Sequence, residues 1–244
     1  VGAGTLVRLP ECAQKLGGTH AMLLSGPTLR KMGIVDKAAD YLKAAGIGVD
    51  IFTDVEANPS VATVEKATEA FREAGADFIV ALGGGSPMDV AKAVGVTAKF
   101  GGSITEYEGA HKVPGKIIPL IAIPTTAGTG SEVTNVAVAS IPSLNLKKGI
   151  ADEETYADVA VLIPESLQGL PDKVFATSSV DALIHAVESF LSPKASPFTE
   201  MYSVKAIEMI MNGYKEIIAA GGNTAENRKP HLKDFCLAAN YAGI

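Results

Sequence analysis

The sequence contains little cysteine, no long basic cluster and no long apolar run. Its 244 residues include two cysteines, Cys12 and Cys236, which lie far apart and form no CxxC motif. This argues against a disulfide framework and favours a reducing compartment, so we expect a cytoplasmic location. We find no basic-then-apolar leader and no apolar run of about 18 residues, so neither a signal peptide nor a membrane-spanning helix is expected.

The net charge of the chain indicates which kinds of molecule it binds. The formal net charge is -6, and no more than two basic residues stand side by side. A nucleic-acid or membrane-surface role is therefore disfavoured, and small-molecule chemistry is expected. With 47% apolar residues the chain can bury a large core in one or two domains.

Short β-rich runs alternate with helical patterns in the first two-thirds of the chain. The runs predict buried strands over 20–25, 49–53, 78–82, 120–124 and 159–163, and apolar spacing predicts helices over 28–45, 60–74 and 88–100. Such alternation predicts a parallel sheet covered on both faces. The stretch 135–150 departs from this rhythm. Two extended runs around a turn at Pro142 to Asn145 predict a hairpin or an irregular excursion near the sheet edge.

Strand signals end after Pro164. The remaining sequence predicts helices over 171–191, 196–219 and 225–243. We therefore expect an α/β domain over 1–165 and an all-helical domain over 166–244.

A glycine turn follows the third predicted strand. Gly83, Gly84, Gly85 and Ser86 lead into a helix that the pattern predicts to begin at Pro87, with Ser86 as its cap. Glycines let a backbone approach a phosphate closely, and the helix start adds N–H groups and positive potential. The alternative is a tight turn that binds nothing. The motif also differs from the usual GxGxxG fingerprint.

A hydroxyl-rich segment follows the fourth predicted strand. Thr125, Thr126, Thr129 and Ser131 lie within a few residues at the carboxyl end of that strand, where open α/β sheets place their ligands. The alternative is a capped loop in which Thr129 or Ser131 begins a short helix.

A possible metal pair lies in the first helix of the second domain. Asp181, His185 and Glu188 fall in one narrow helical sector, and Asp181 and His185 are ligand types that suit divalent Fe, Zn or Mn. Two ligands do not complete a site, and the alternative is a solvated helix face. An adjoining apolar stripe is expected at Val180, Ile184, Val187 and Leu191.

Together these motifs resemble the iron-containing, or group III, alcohol dehydrogenase family. The similarity covers almost the whole chain. The similarity rests on these sequence motifs: KMGIVDK from Lys31, NP at Asn58, GGGSPMDVAKAVG from Gly83, IPTTAGTGSEVT from Ile123 and DALIHAVESFLS from Asp181. The resemblance implies a dehydroquinate synthase-like fold, with an N-terminal α/β nucleotide-binding domain and an all-α C-terminal domain.

The resemblance also implies binding roles. By position, Gly84, Gly85 and Ser86 would hold the pyrophosphate of a nicotinamide cofactor. Asp89 would support that turn, and Asn58 would lie near the adenosine.

Four further residues match cofactor positions of the family. Thr125, Thr126 and Thr129 would line the pocket towards the nicotinamide. Lys147 would contact the cofactor ribose.

The family pattern implies one divalent metal, Fe²⁺ first and Zn²⁺ as the alternative. Asp181 and His185 match its first two ligands. Two further histidines are expected in later helices, and His231 matches neither in context. We therefore expect the sequence to be a truncated part of a longer enzyme, and this part by itself to be inactive because two metal ligands are missing.

At position 26 this sequence has glycine. Many family members that prefer NAD carry an aspartate at the matching position. A carboxylate would accept the ribose 2′-OH and repel a 2′-phosphate, so glycine favours NADP. Arg30 and Lys31 are near enough in sequence to pair with that phosphate, or are simply solvated.

The implied activity is reversible hydride transfer between a small alcohol or aldehyde and the nicotinamide, in a homodimer or larger homo-oligomer. No residue stands out as a general acid or base. One alternative is a glycerol dehydrogenase-like or dehydroquinate synthase-type enzyme on the same fold. Another is a noncatalytic nucleotide-binding or assembly module.

Overall fold

The chain forms two β-sheets and a set of helices in a computed structural model that describes residues 1–141 and 145–244. Three residues of the predicted turn, 142–144, lie outside this description. The strands are β1 His20–Ser25, β2 Gly48–Phe52, β3 Phe78–Gly83, β4 Gly109–Ala110, β5 Leu120–Pro124, β6 Val136–Ile141, β7 Leu146–Ala151 and β8 Val159–Ala160. The α-helices are α1 Leu9–Lys15, α2 Pro27–Lys31, α3 Ile34–Ala44, α4 Val61–Glu73, α5 Gly85–Phe100, α6 Asp172–Leu191, α7 Pro197–Ala219, α8 Ala225–Arg228 and α9 Leu232–Ala242.

The larger sheet has five strands in the order β2-β1-β3-β5-β8. β1 pairs in parallel with both β2 and β3, and β5 pairs in parallel with β8. The predicted parallel sheet is confirmed. The last strand is shorter than predicted, because only Val159–Ala160 of the run 159–163 pairs as a strand.

Two predicted helices are interrupted. The helix predicted over 28–45 is divided into α2 and α3 by Gly33, which adopts a left-handed conformation with φ of 78°. The helix predicted over 225–243 is divided by a 3-10 turn, Lys229–His231, that contains Pro230. Proline lacks the N–H that a continuous helix needs, so α8 ends before it.

Two paired strands lie in the segment 135–150, one on each side of residues 142–144. β6 and β7 pair antiparallel from Val136 opposite Ala151 to Ile141 opposite Leu146, and β4 pairs in parallel with β7. The hairpin alternative is thus correct. It belongs to a second, three-stranded sheet and not to the edge of the first sheet.

Contacts divide the chain into two compact units. An α/β unit contains 6–123 and 135–161, and a helical unit contains 1–5, 124–134 and 162–244. The helical unit thus takes in two segments that precede residue 166. The consecutive domains over 1–165 and 166–244 stay a prediction.

The buried face of α6 differs from the predicted stripe. Val180, Ile184 and Leu191 are 46%, 48% and 72% exposed, whereas Phe175, Ser179, Ala182 and Ala186 are buried. Small residues on this face allow α7 and α9 to approach closely. The apolar spacing correctly predicted that this segment is a helix. It was wrong about which side of the helix is buried.

Within the described part of the chain, α6 is long and apolar enough to cross a membrane by length and composition. Its most apolar 18-residue window has a mean hydropathy of 1.2. The indication is weak, since core helices of soluble proteins pass the same test. Asp181 and His185 in the middle of the helix would also be costly in lipid.

Candidate functional site

The glycine turn connects β3 to α5. A Cβ built on Gly83 would lie 2.5 Å from Cγ of Pro87, so the turn requires glycine there. The helix begins at Gly85 with Gly84 as its N-cap, and no side chain caps it. The prediction that Ser86 caps a helix beginning at Pro87 is therefore wrong. The N-terminus of α5 nonetheless provides backbone N–H groups and positive potential, as a phosphate requires.

A pocket of about 280 Å³ lies beside this turn. It brings together four predicted cofactor residues from three segments of the chain, and Lys147 Nζ donates a hydrogen bond of 2.8 Å to Asn58 Oδ1. The lining residues are Asn58, Pro59, Ser86, Asp89, Val138, Ser140 and Lys147. Gly84 and Gly85 directly precede Ser86 in the sequence and are not among the lining residues.

Sequence reasoning missed Ser140 as part of this pocket. Ser140 lies opposite Lys147 in the β6/β7 register. The hairpin register would have identified it, because cross-strand partners share a face of the sheet.

Gly26 lies at the same edge of the larger sheet, outside the lining of this pocket. It directly follows Ser25, which is aligned with Leu82 at the end of β3. A Cβ on Gly26 would lie 3.4 Å from the carbonyl oxygen of Val55, an ordinary contact. The position therefore has room for a Cβ.

The two basic residues near Gly26 differ in their contacts. Arg30 forms an ion pair with Asp36 at 3.0 Å. Lys31 is exposed.

The hydroxyl-rich segment lies in the helical unit. Thr125 is buried, Thr126 is half-buried and Thr129 is exposed. Thr129 Oγ1 accepts a hydrogen bond of 3.2 Å from the backbone N–H of Ser131, at the start of the 3-10 turn Ser131–Val133. The turn begins at Ser131, as one form of the alternative predicted, and its N-cap is Gly130, with no side chain in the capping role.

This segment packs against α9. Gly130 adopts φ of 60°, and a Cβ there would lie 2.7 Å from Cα of Gly243. Glu132 Oε1 accepts a hydrogen bond of 2.9 Å from Asn240. Burial and the nearby Glu132 carboxylate raise the pKa of the Cys236 thiol to about 12. Cys236 is therefore a protonated core residue and not a nucleophile.

The predicted metal pair lies on α6. Asp181 Oδ1 and His185 Nε2 are 3.6 Å apart, and the side chains are 48% and 38% exposed. A carboxylate and an imidazole one helical turn apart suit a first-row divalent ion in kind. Among residues 1–141 and 145–244, no third His, Cys, Asp or Glu joins them in a metal-binding group. Glu188 does not complete the site.

Two family models match this chain. The model described as iron-containing alcohol dehydrogenase matches residues 1–164, and the C-terminal model of the Fe-containing alcohol dehydrogenase family matches residues 175–244. The chain is 51% identical over 167 residues to a 4-hydroxybutyrate dehydrogenase from Clostridium kluyveri. That alignment covers 68% of this chain and 43% of the relative.

Solved structures are also similar. A 1,3-propanediol oxidoreductase superposes with a TM-score of 0.91 at 34% identity, over 99% of this chain and 64% of that chain. A sulfoacetaldehyde reductase from Bifidobacterium kashiwanohense, in complex with NAD+, superposes with a TM-score of 0.87 at 31% identity, over 98% of this chain and 63% of that chain. This chain spans less than two thirds of the length of each of these three proteins.

Proposed function

The chain belongs to the iron-containing alcohol dehydrogenase family, and on that premise we propose that it acts in a metal-dependent, NAD(P)-linked alcohol dehydrogenase. The reaction is reversible hydride transfer between a small alcohol or aldehyde and the nicotinamide. The observation that supports it best is the pocket beside the glycine turn, where Asn58, Ser86, Asp89 and Lys147 meet.

The α/β unit binds the cofactor in this proposal. Backbone N–H groups at Gly84 to Ser86 and the N-terminus of α5 favour the pyrophosphate anion. Lys147 and Asn58, joined by a hydrogen bond, present a cation and an amide to the ribose on the adenosine side. Orientation of the cofactor by fixed groups is the contribution of the protein to the rate.

The helical unit holds the metal through Asp181 and His185, whose carboxylate and imidazole groups are ligand types that suit a divalent ion. When bound, the nicotinamide supplies the hydride acceptor or donor, and the ion supplies Lewis-acid polarisation of the substrate oxygen. Thr125, Thr126 and Thr129 keep their proposed role near the nicotinamide. Since two donors bind an ion weakly, this chain by itself should be inactive, and the further ligands of a longer form are needed for activity.

Finer assignments complete the proposal. We favour NADP because Gly26 lacks a carboxylate that would repel a 2′-phosphate, and Fe²⁺ because of the family. We favour a cytoplasmic homodimer or larger homo-oligomer. The name of the relative with 51% identity makes 4-hydroxybutyrate the first substrate to test.

Anaerobic turnover tests the proposal. This chain and a longer form that carries the two further histidines implied by the family pattern are assayed with Fe²⁺, with Zn²⁺ and without metal, following NADH and NADPH absorbance with 4-hydroxybutyrate, 1,3-propanediol and glycerol. We expect Fe²⁺-dependent turnover in the longer form, which His185→Ala reduces at least about a hundredfold, because a metal donor is lost. Glu188→Ala, on the same helix, is the matched control.

Other outcomes favour the alternatives. Zinc-dependent activity restricted to glycerol would favour a glycerol dehydrogenase-like enzyme. Cofactor binding without metal-dependent turnover, even in the longer form, would favour a noncatalytic module. Failure to bind either NAD or NADP would overturn the proposal.

A further inference from the structure

Asn58 adopts a left-handed backbone conformation in the cofactor pocket. Its φ is 54°, a region that asparagine tolerates better than other residues with a Cβ. Contacts on both sides of the loop hold the residue in this position. Asn58 Oδ1 accepts the hydrogen bond from Lys147, so its position also determines where the Lys147 ammonium group lies.

The hairpin fixes one side of Asn58. The backbone N–H of Ser140 donates a hydrogen bond of 2.8 Å to the carbonyl oxygen of Pro59. Ser60 and Ser140 also form an isolated parallel β-bridge. Because Ser140 lies opposite Lys147 in the hairpin, this attachment brings the loop towards the lysine.

Glu56 closes the loop from its other side. Its Oε1 accepts a hydrogen bond of 2.9 Å from the backbone N–H of Ser60, and its two carboxylate oxygens lie 2.6 and 2.8 Å from Thr63 Oγ1. Ser60 Oγ in turn caps α4 by accepting a 3.2 Å hydrogen bond from the Thr63 N–H. The carboxylate thus joins the residues before and after Asn58 to a helix start.

Glu56 does not itself line the pocket. Partial burial by itself would raise the pKa of Glu56, but the hydrogen bonds from Thr63 and Ser60 outweigh this effect and keep the pKa below its usual value. The side chain is consequently an ionised acceptor. Any influence on a ligand must pass through the loop that it closes.

We infer that Glu56 is a positioning residue of the cofactor pocket: by closing residues 56–60 it holds Asn58 against Lys147, so that both meet the adenosine side of the cofactor. The inference rests on the proposed cofactor site. It adds a residue that touches neither cofactor nor metal.

Two measurements on the full chain test it. Calorimetry with ADP-ribose, which lacks the nicotinamide, and with its 2′-phosphate measures adenosine-side affinity. Acetylation of lysines, followed by mass spectrometry, reports the accessibility of Lys147, with Lys148, paired with Glu108, as internal reference. The variants are Glu56→Ala and Glu56→Gln. Glu65→Ala, an exposed glutamate on α4, is the control for lost charge.

We expect Glu56→Ala to weaken binding roughly fivefold, the scale of one lost hydrogen bond, for whichever of ADP-ribose and its 2′-phosphate binds the wild type more tightly. Lys147 should become about threefold more reactive, because a lysine released from a hydrogen bond is more accessible. Glu56→Gln should fall between this variant and the wild type, since its single amide oxygen keeps part of the contact. Glu65→Ala should match the wild type.

The outcomes separate the two proposals. Unchanged Lys147 reactivity and unchanged affinity in both Glu56 variants would overturn the positioning role. Increased Lys147 reactivity in a chain that binds neither ligand would support the positioning of Lys147 and overturn the cofactor site. If Glu56→Ala does not fold, Glu56→Gln decides the question in the same way.

Discussion

Gly26, which directly follows β1, lacks the carboxylate that would repel a 2′-phosphate. We expect Gly26→Asp to weaken NADP binding roughly tenfold, about 1.4 kcal/mol of charge repulsion, and to leave NAD binding unchanged or stronger. The Cβ of the new side chain would lie 3.4 Å from the carbonyl oxygen of Val55, an ordinary contact. Fluorescence titration with both cofactors measures the change.

Gly26→Asn is the matched control, because it has the same shape without the charge. A similar loss of NADP affinity in the asparagine variant would attribute the effect to size. Equal affinity of the wild-type chain for NAD and NADP would remove the argument for NADP.

Single residues also show where sequence reasoning was limited. The motif around Ser86 correctly predicted a strand, a glycine turn and a helix. It misplaced the helix start by two residues, since Gly84 and not Ser86 is the N-cap. Local sequence could not decide this, because glycine and serine are both acceptable caps.

Among the elements of the helical unit, α8 is connected to α6 through a buried arginine. Arg228 is fully buried and donates hydrogen bonds to Asp172 at 2.7 Å and to the carbonyl oxygen of Leu170 at 2.8 Å. Its guanidinium lies 4.8 Å from the ring centre of Phe175. The Arg228 side chain is therefore held by an ion pair, by hydrogen bonds and by packing against an aromatic ring.

We expect Arg228→Ala to lower the free energy of unfolding by about 3 kcal/mol, since it leaves a cavity and an unpaired carbonyl. Urea denaturation followed by circular dichroism provides the measurement. Arg8→Ala is the control, because Arg8 forms an exposed ion pair with Glu11 and its removal should leave the unfolding free energy nearly unchanged. A change below about 1 kcal/mol for Arg228→Ala would contradict the prediction.

For the molecule as a whole, acid stability depends in part on Asp77. Its carboxylate accepts hydrogen bonds from the backbone N–H groups of Thr19 and His20, at 3.0 and 2.9 Å. Partial burial would raise its pKa, but hydrogen bonds from Thr19 and His20 lower it overall. A lowered folded-state pKa stabilises the fold above the unfolded-state pKa of about 3.9, and this contribution is lost as pH falls through the folded-state value.

The wild type should therefore have a higher unfolding free energy than Asp77→Asn. This difference should be largest at pH 6 and should shrink below about pH 4. Urea midpoints at pH 6, 4 and 3 measure it, with the exposed Asp54→Asn as control. A difference that stays constant across this range would show that ionisation of Asp77 does not contribute.

The sequence by itself determined the family, the parallel sheet and most cofactor candidates, because these depend on local patterns and short motifs. It also identified the hairpin over 135–150 as one of two alternatives. The interruption by Gly33 was not anticipated, because glycine is tolerated within many helices and only the observed left-handed backbone shows that this one ends a helix.

Tertiary structure alone decided which residues meet. Asn58, Ser86 and Lys147 share a pocket only because α5, the loop before α4 and the β6/β7 hairpin converge, and Ser140 joined them through the hairpin register. Likewise α6 buries Ala182 and Ala186 and exposes Ile184, contrary to its apolar pattern. Close packing selects small residues for a helix interface, and that choice depends on neighbouring helices that local periodicity cannot specify.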